Sequence, residues 1–565
     1  MNAKTLLPLA TLLASICAIA SGQAATAQNV PASQPAPVRV GTRQADALAG
    51  LARSAMATYL KDRTAADKQA IPSQVADLQA LTSPVLVRLR HKGQLVAQAV
   101  AGDSNICRNV ISAAVRAMRS PSLPDRITRQ YLAELTVELE LAISPAQARP
   151  ADLPRSYVPA LHGLRLAGQR SANYAFPTTA YESGLNLEQM KLLAAGPGVK
   201  TDDPSLKWEI FENKHFVSYP GGPTVWLYRG KVLALPEAAS EMVLMDAADS
   251  ISLYLRLAQA KDGCFTAGPA ARATMVEHLY ATYAMARQAK RAKWKFDPAK
   301  ALSYAAAMAK SADGRTYLAT ERPAEQLLTA AWYVLASSQA AANDDPLREK
   351  LAASIAGVWR PDGSLPARLD GQSGPDASPG DVYLAAAALA AAPPADAKLA
   401  QQAKELTALA RQTQPKTAID ALWKAWAGLD GATIATQPAA TGPDAVKVLP
   451  RALDETGGYA FAPGEEPSTM ATALKAIGLA RQLKQARAAL RDAAGDQAAA
   501  KAAIGSLESQ LAEARFFCYQ MMYKEHEAYF AAVPNAQVGG VRTQPGGAAV
   551  TVAACAAAME ALGGE

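Results

Sequence analysis

Gln259-Ala-Lys-Asp-Gly-Cys-Phe265 is the stretch on which the reading of this chain turns. A run with helical periodicity, residues 237–260, leads into it. The Asp262-Gly263 pair breaks that run, and a second helical run follows over 270–287. The same punctuation returns at Asp313-Gly314, Asp362-Gly363, Gly457-Gly458 and Gly539-Gly540. Glycine accepts a positive φ, so each pair predicts a helix stop, followed by a short extended piece carrying an aromatic or aliphatic residue. Gly263, Gly314 and Gly363 stand 51 and 49 residues apart, the length of one helical hairpin. That rhythm predicts helix pairs stacked side by side and closing into a ring.

Working outward, further helical runs occupy 298–310, 323–342, 346–358, 381–391, 397–412, 417–429, 468–494, 497–530 and 549–562, giving about eleven helices after residue 236. Pro323 and Pro346 fit first-turn positions, and Ser468 fits an N-cap. Residues 434–449 read as a loop or an ill-formed hairpin, and 485–511 as a projecting helical hairpin bent near Gly495.

The part before the ring reads differently. Residues 46–60 form an amphipathic helix with Leu48, Leu51, Ala52, Ala55, Met56 and Tyr59 on one side. Residues 85–90 and 94–101 form a hairpin around His91-Lys-Gly93, and 104–118 a helix capped by Ser104 or Asn105. Residues 131–143 alternate, with Leu135, Val137, Leu139 and Leu141 on one face and Thr136, Glu138 and Glu140 on the other. That is the pattern of a half-exposed antiparallel strand.

Four blocks, LARSAMATYL, PVLVRLRHKGQLVAQAVAG, NVISAAVRAM and ELTVELELAISP, resemble the AMMECR-type domain in order and spacing, and the likeness continues through LHGLRLAGQRSANYAFP, LNLEQMKLLAAGPGV and LKWEIFENKHFVSYPGG. The family's Arg-Gly-Cys-Ile-Gly signature is replaced here by Val96-Ala-Gln-Ala-Val100, and its Asp-Pro-Arg-Phe-Pro block by Arg119-Ser-Pro-Ser-Leu-Pro124. The resemblance therefore implies a fold and transfers no functional residue. QAKDGCF, ETGGYAFAP and QVGGVRTQP resemble links between hairpins of the prenyltransferase and squalene-cyclase repeat and of glycan-active α/α toroids. The expected organisation is multidomain: a signal peptide (1–27), a flexible leader (28–45), an α+β domain (46–222), a bridge (223–236) and a mostly-α domain, an α/α toroid, over 237–565.

Composition narrows the function. The chain has 565 residues, is 50% hydrophobic and carries a formal net charge of +7. The charge is scattered, with no Lys/Arg stripe interleaved with aromatics. The nearest approach, residues 287–295, reads as a solvated helix end, which argues against nucleic-acid binding. Lys4, the apolar run 6–20 and Ala25-Thr26-Ala27 form a secretory signal, so the protein is expected to be periplasmic or extracellular. No later segment is long and apolar enough to span a membrane. Four cysteines follow the signal, without the spacing of a zinc site. Cys518 and Cys555, on two late helical runs, are the expected disulfide partners if any form.

Candidate chemistry clusters late. Tyr519, Tyr523, Glu525, His526, Glu527, Tyr529 and Arg542 lie close in sequence, and Glu525 and Tyr529 are four apart, sharing a face if that run is helical. With Tyr459 they suggest Tyr459, Glu525 and Tyr529 as proton-transfer groups, and Arg542, Tyr523 and His526 as ligand-binding groups for an acidic sugar. The bland alternative is a solvated helix end. Asp454 and Glu455, with Tyr459, Phe461, Glu465 and Glu466, supply acids around a turn. Asp370, Asp376, Asp381 and Tyr383 surround a loop, where Asp381 suits helix capping better than calcium. His215 and His278 are lone histidines suited to core or helix-surface roles. No metalloprotease, serine-hydrolase, phosphate-loop or dinucleotide motif occurs, and no cofactor is implied. Two functions fit: a binding or scaffold protein whose toroid cavity holds an extended ligand such as a glycan, and a carbohydrate-active enzyme (hydrolase, lyase or epimerase) with its site at the toroid mouth.

Overall fold

The computed structural model describes residues 40–63, 69–124, 126–167, 174–266, 272–294, 296–340, 345–360, 364–429, 444–492 and 497–564. The expected signal, most of the leader, the Asp362-Gly363 pair and the bend at Gly495 lie outside these residues. The chain divides into two compact units. One comprises Met1–Leu233, Lys524–Gln537 and Gly546–Ala548; the other comprises Ala234–Tyr523, Val538–Pro545 and Ala549–Glu565.

The first unit is α+β. Its elements are α1 (Thr42–Lys61), β1 (Val85–His91), β2 (Gln94–Ala101), α2 (Ile106–Ala117), α3 (Arg129–Ala133), β3 (Leu135–Ala148), α4 (Leu153–Ser156), β4 (His162–Leu166), β5 (Tyr174–Ala175), α5 (Pro177–Ser183), α6 (Leu187–Ala195), β6 (Trp208–Ser218) and β7 (Thr224–Leu227). The strands form one antiparallel sheet in the order β2-β1-β3-β6-β4-β5, with β7 also paired to β6. Register follows the apolar alternation: Val87 lies opposite Leu139, and Leu89 opposite Val137. These residues pack with Leu48 and Met56 of α1 and Val110 and Ile111 of α2 in one core. Each such side chain contributes roughly 1.5–3 kcal/mol through burial.

The opposite face of β3 departs from expectation. Glu138 and Glu140 are fully buried rather than half-exposed. Arg88 and Arg90 of β1 pair with these acids, so the charges are buried together. The segment Lys524–Gln537, distant in sequence, belongs to the same unit and packs Tyr529 beside His215 on this face.

The second unit is mostly helical, with eleven α-helices among the described residues. They are α7 (Glu241–Leu257), α8 (Met275–Ala292), α9 (Ala299–Ala306), α10 (Gln326–Gln339), α11 (Pro346–Gly357), α12 (Pro379–Ala391), α13 (Ala397–Gln412), α14 (Ala418–Ala427), α15 (Thr469–Asp492), α16 (Gln497–Met521) and α17 (Val552–Gly563). Two short ladders accompany them: β8 (Ala309–Ala312) with β9 (Arg315–Leu318), and β10 (Val446–Lys447) with β11 (Tyr459–Ala460). Six helices pack in a closed cycle: α8 on α10, α10 on α12, α12 on α14, α14 on α15, α15 on α17, and α17 back on α8. The other five, α7, α9, α11, α13 and α16, lie against members of this cycle.

The glycine punctuation works by a different device from the one expected. Gly314 turns the β8–β9 hairpin instead of ending a helix. Gly263, Gly457 and Gly539 lie in links where a Cβ would stand only 2.4, 2.2 and 2.4 Å from the carbonyl oxygens of Lys300, Glu513 and Ser250. Those carbonyls belong to α9, α16 and α7, three helices outside the cycle. Two residues beyond each glycine, Phe265, Tyr459 and Val541 are buried. Their backbone N–H groups donate to His278 Nδ1 (3.4 Å), Thr472 Oγ1 (2.9 Å) and Cys555 Sγ (3.3 Å). Each acceptor is the fourth residue of a cycle helix, α8, α15 or α17. The recurrence in sequence is thus a recurrent joint, pinning a link between an outer and an inner helix.

Three further expectations change. The run 497–530 ends as a helix at Met521, so Glu525 and Tyr529 do not share a helix face. Cys518 and Cys555 are buried free thiols and form no disulfide; burial pushes both up to about 12. Residues 287–294 are not simply solvated: Arg287 pairs with Glu560, and Arg291 donates to Gln288 Oε1 and the Gly564 carbonyl.

Candidate functional site

The sequence-selected residues fall into both units. Tyr459, Tyr523 and Arg542 belong to the helical unit; Glu525, His526 and Tyr529 belong to the α+β unit. Tyr523 and Arg542 do meet: the guanidinium lies 3.6 Å from the ring centroid, and both side chains are buried. Arg542 Nη1 also donates to the Met521 and Met522 carbonyls at 3.3 and 3.4 Å, which ties the end of α16 to the link after Gly539. Tyr459 is buried in the core, and burial, reinforced by Glu513 and Asp444, pushes its hydroxyl up to about 12.

Glu525 is exposed, with His526 beside it at 3.7 Å. The His526 carbonyl accepts from Tyr219 Oη at 2.6 Å. Tyr529 is buried, its ring 5.3 Å from His215 and 5.5 Å from the Arg90 guanidinium. Asp454 and Glu455 are buried under their turn, where Glu455 accepts from Arg451 N. Asp370 is held down to about 2 by hydrogen bonding from Arg368, and Asp376 pairs with Arg360. Asp381 takes the third position of a capping box opened by Ser378, the capping role its position suggested.

Two other constellations carry more chemistry. The first lies at the centre of the helix cycle. Tyr280 and Tyr283 of α8, Trp332 of α10, and Trp423 and Trp426 of α14 pack ring to ring, with centroids 4.5–5.9 Å apart. Tyr280 meets Trp423, and Tyr283 meets Trp426, so α8 and α14 run in the same direction. These helices are three steps apart in a cycle of six, so their side chains meet across its middle. The middle is filled with aromatic rings at this level. Glu560 of α17 accepts from Tyr280 Oη (3.3 Å), Trp426 Nε1 (3.2 Å) and Arg287. Burial and the Glu560 charge push Tyr283 up to about 12 and Tyr280 well above its ordinary range. Trp332 and Trp426 are buried, whereas Trp423 is only half-buried, against Gly380 in the first turn of α12.

The second is the buried charge layer of the α+β unit. Arg88 lies 3.5 Å from Glu140 and 3.7 Å from Glu182, and Arg90 bonds both Glu138 and Glu182. His215 Nε2 lies 3.6 Å from Glu138, and Asn213 donates to Glu140 at 2.6 Å. Burial alone would raise Glu138, but Arg90, the nearby His215 imidazole and Arg88 outweigh it and hold the carboxyl down to about 2. Glu182 moves the other way, raised by burial and by the Glu138 charge. Among the described residues, no group of His, Cys, Asp and Glu is arranged to hold a metal ion.

The sequence reading missed both. The signals were present: two aromatic pairs at i,i+3 spacing, and opposite charges alternating on VRLR (87–90) and VELEL (137–141), which pair once β1 and β3 are neighbours.

No family model and no curated protein matches the chain. Among solved structures it is similar to an uncharacterised protein from Pyrococcus horikoshii, at 20% identity over 32% of this chain and 96% of that one, with a TM-score of 0.28.

Proposed function

We propose that this is an exported binding protein whose helical unit is an α/α toroid of helical hairpins, and that it holds an extended ligand, a glycan, at one mouth of that ring. The observation that carries the reading is the aromatic cluster across the middle of the helix cycle, fixed by Glu560 and leaving Trp423 half-buried. A half-open indole backed by packed rings is a rigid platform that loses little entropy on contact, the property that favours stacking against a sugar face. Turnover is the second choice because the central carboxylate is fully engaged: Glu560 accepts three bonds and neutralises Arg287. Export is supported by the signal-like pattern of residues 1–27, and an AMMECR-type identity for the α+β unit by the order of its sequence blocks.

One observation favours the enzymatic alternative. Burial pushes the Asp381 carboxyl up, and the nearby Asp420 and Glu325 charges add to this. A carboxyl shifted upward by such means suits a general acid better than an unperturbed one. The experiment is a panel of soluble glycans titrated against the full chain, with turnover followed in parallel. Binding that falls at least tenfold in Trp423→Ala, with a cooperative melt retained above the assay temperature, is the expected result. Absence of any glycan binding overturns the proposal. Turnover abolished by Asp381→Asn replaces it with the enzyme.

A further inference from the structure

A cleft of about 720 Å³ opens among α8, α9 and α10. Trp294, Phe296 and Tyr333 line it, with Lys290, Asp297 and Asp345 among its polar residues. Trp294 and Phe296 stand edge to face at 6.1 Å, and the Arg256 guanidinium lies 5.3 Å from the indole centroid. The indole Nε1 is buried and has no hydrogen-bond partner among the described residues. The two carboxylates are fixed by local bonds. Asp297 accepts from Ala299 N at 2.9 Å, and Asp345 caps α11 by accepting from Leu347 N and Arg348 N at 3.0 and 3.3 Å. Lys290 donates to Gln339 at 3.3 Å.

We propose that this cleft is a second ligand site, for the pyranose ring of a neutral saccharide, separate from the central aromatic cluster. Size, floor and charge each point to that class. The volume lies in the range of small-molecule sites and accommodates one or two sugar rings. The aromatic floor offers a negative π-face to the weakly positive C–H face of a pyranose. The polar residues mix signs: two fixed carboxylates accept from hydroxyls, while Lys290 donates. Within the lining, two carboxylates against Lys290 disfavour phosphate and uronate. An acyl chain would leave those carboxylates desolvated without hydrogen bonds.

The test titrates the full chain with maltose, cellobiose and lactose, and separately with inorganic phosphate and dodecanoate. At least one neutral disaccharide should bind saturably. Trp294→Ala should weaken that binding at least tenfold, while Trp423→Ala changes it less than twofold. Asp345→Asn gives a second variant that keeps the fold, since Asn caps a helix as well as Asp; it should weaken binding about threefold to tenfold, the loss of one or so hydrogen bonds to a charged group. The proposal is overturned if no neutral disaccharide binds, if binding survives both substitutions, or if phosphate or dodecanoate competes for the cleft. Loss in Trp423→Ala with retention in Trp294→Ala would uphold the central site and sink this one.

Discussion

His278 shows how one side chain can set a local structure. Its Nε2 faces the Ala301 carbonyl at 2.9 Å and must donate, so Nδ1 is left to accept from Phe265 N. Burial pushes the imidazole below its ordinary range, which keeps this neutral tautomer in place. The glycine of each joint is equally constrained. Gly457 has φ +81°, and an added Cβ would collide with the Glu513 carbonyl. Gly457→Ala should therefore cost about 2 kcal/mol or more, read as a lower denaturant midpoint, whereas Gly314→Ala meets no neighbour and should cost about 1 kcal/mol.

The two buried acids Glu138 and Glu182 make opposite predictions with pH. Glu138 is depressed below its ordinary 4.5, so its contribution is present above that value and lost as pH falls toward about 2. Glu182 is raised, so its contribution is present at low pH and lost as pH rises through its folded value. Stability measured against pH should fall less steeply on the acid side in Glu138→Gln, and decline less above the ordinary carboxylate range in Glu182→Gln. Glu138→Gln should also cost about 3 kcal/mol near neutrality, because Arg90 loses one of its two buried carboxylate partners.

At the scale of elements, the aromatic pairs on α8 and α14 hold opposite members of the cycle together. Trp332→Ala removes the ring that touches four of the others and should cost about 3–5 kcal/mol. Tyr280→Phe removes only a hydroxyl bond to Glu560 and should cost about 1 kcal/mol. Calorimetric melting of the two variants checks the ratio. The helices were legible because 3.6-residue periodicity, Pro346 at a first turn and Asp381 in a capping position are local signals. The sheet was legible through its period of two. What stayed hidden was non-local. Glu138 reads as solvated until β1 brings Arg88 and Arg90 alongside, and Trp423 reads as ordinary core until Tyr280 arrives from the far side of the cycle. The late Tyr/Glu/His run reads as one helix face by its spacing, yet α16 ends at Met521, before Glu525 and Tyr529.

At the scale of the whole molecule, the α+β unit is not a contiguous stretch of sequence. Lys524–Gln537 completes it: Tyr529 packs on His215, Glu527 accepts from Val232 N at 3.0 Å, and Gly93 lies against the Ala531 carbonyl with no room for a Cβ. A fragment ending at Leu233 exposes the Arg90–Glu138 layer and should fail to give a cooperative melt. Supplying a peptide of residues 524–537 in trans should raise its protection from proteolysis, and no change on adding the peptide would count against this role.

That return has a temporal consequence. A ribosome releases the amino-terminal part of a chain first, and most leading domains close while the remainder is still being made. Here the leading unit stays unfinished until residues 524–537 have been translated. If the protein is exported, as proposed, a leading unit that closes so late is still open while a secretion channel threads it.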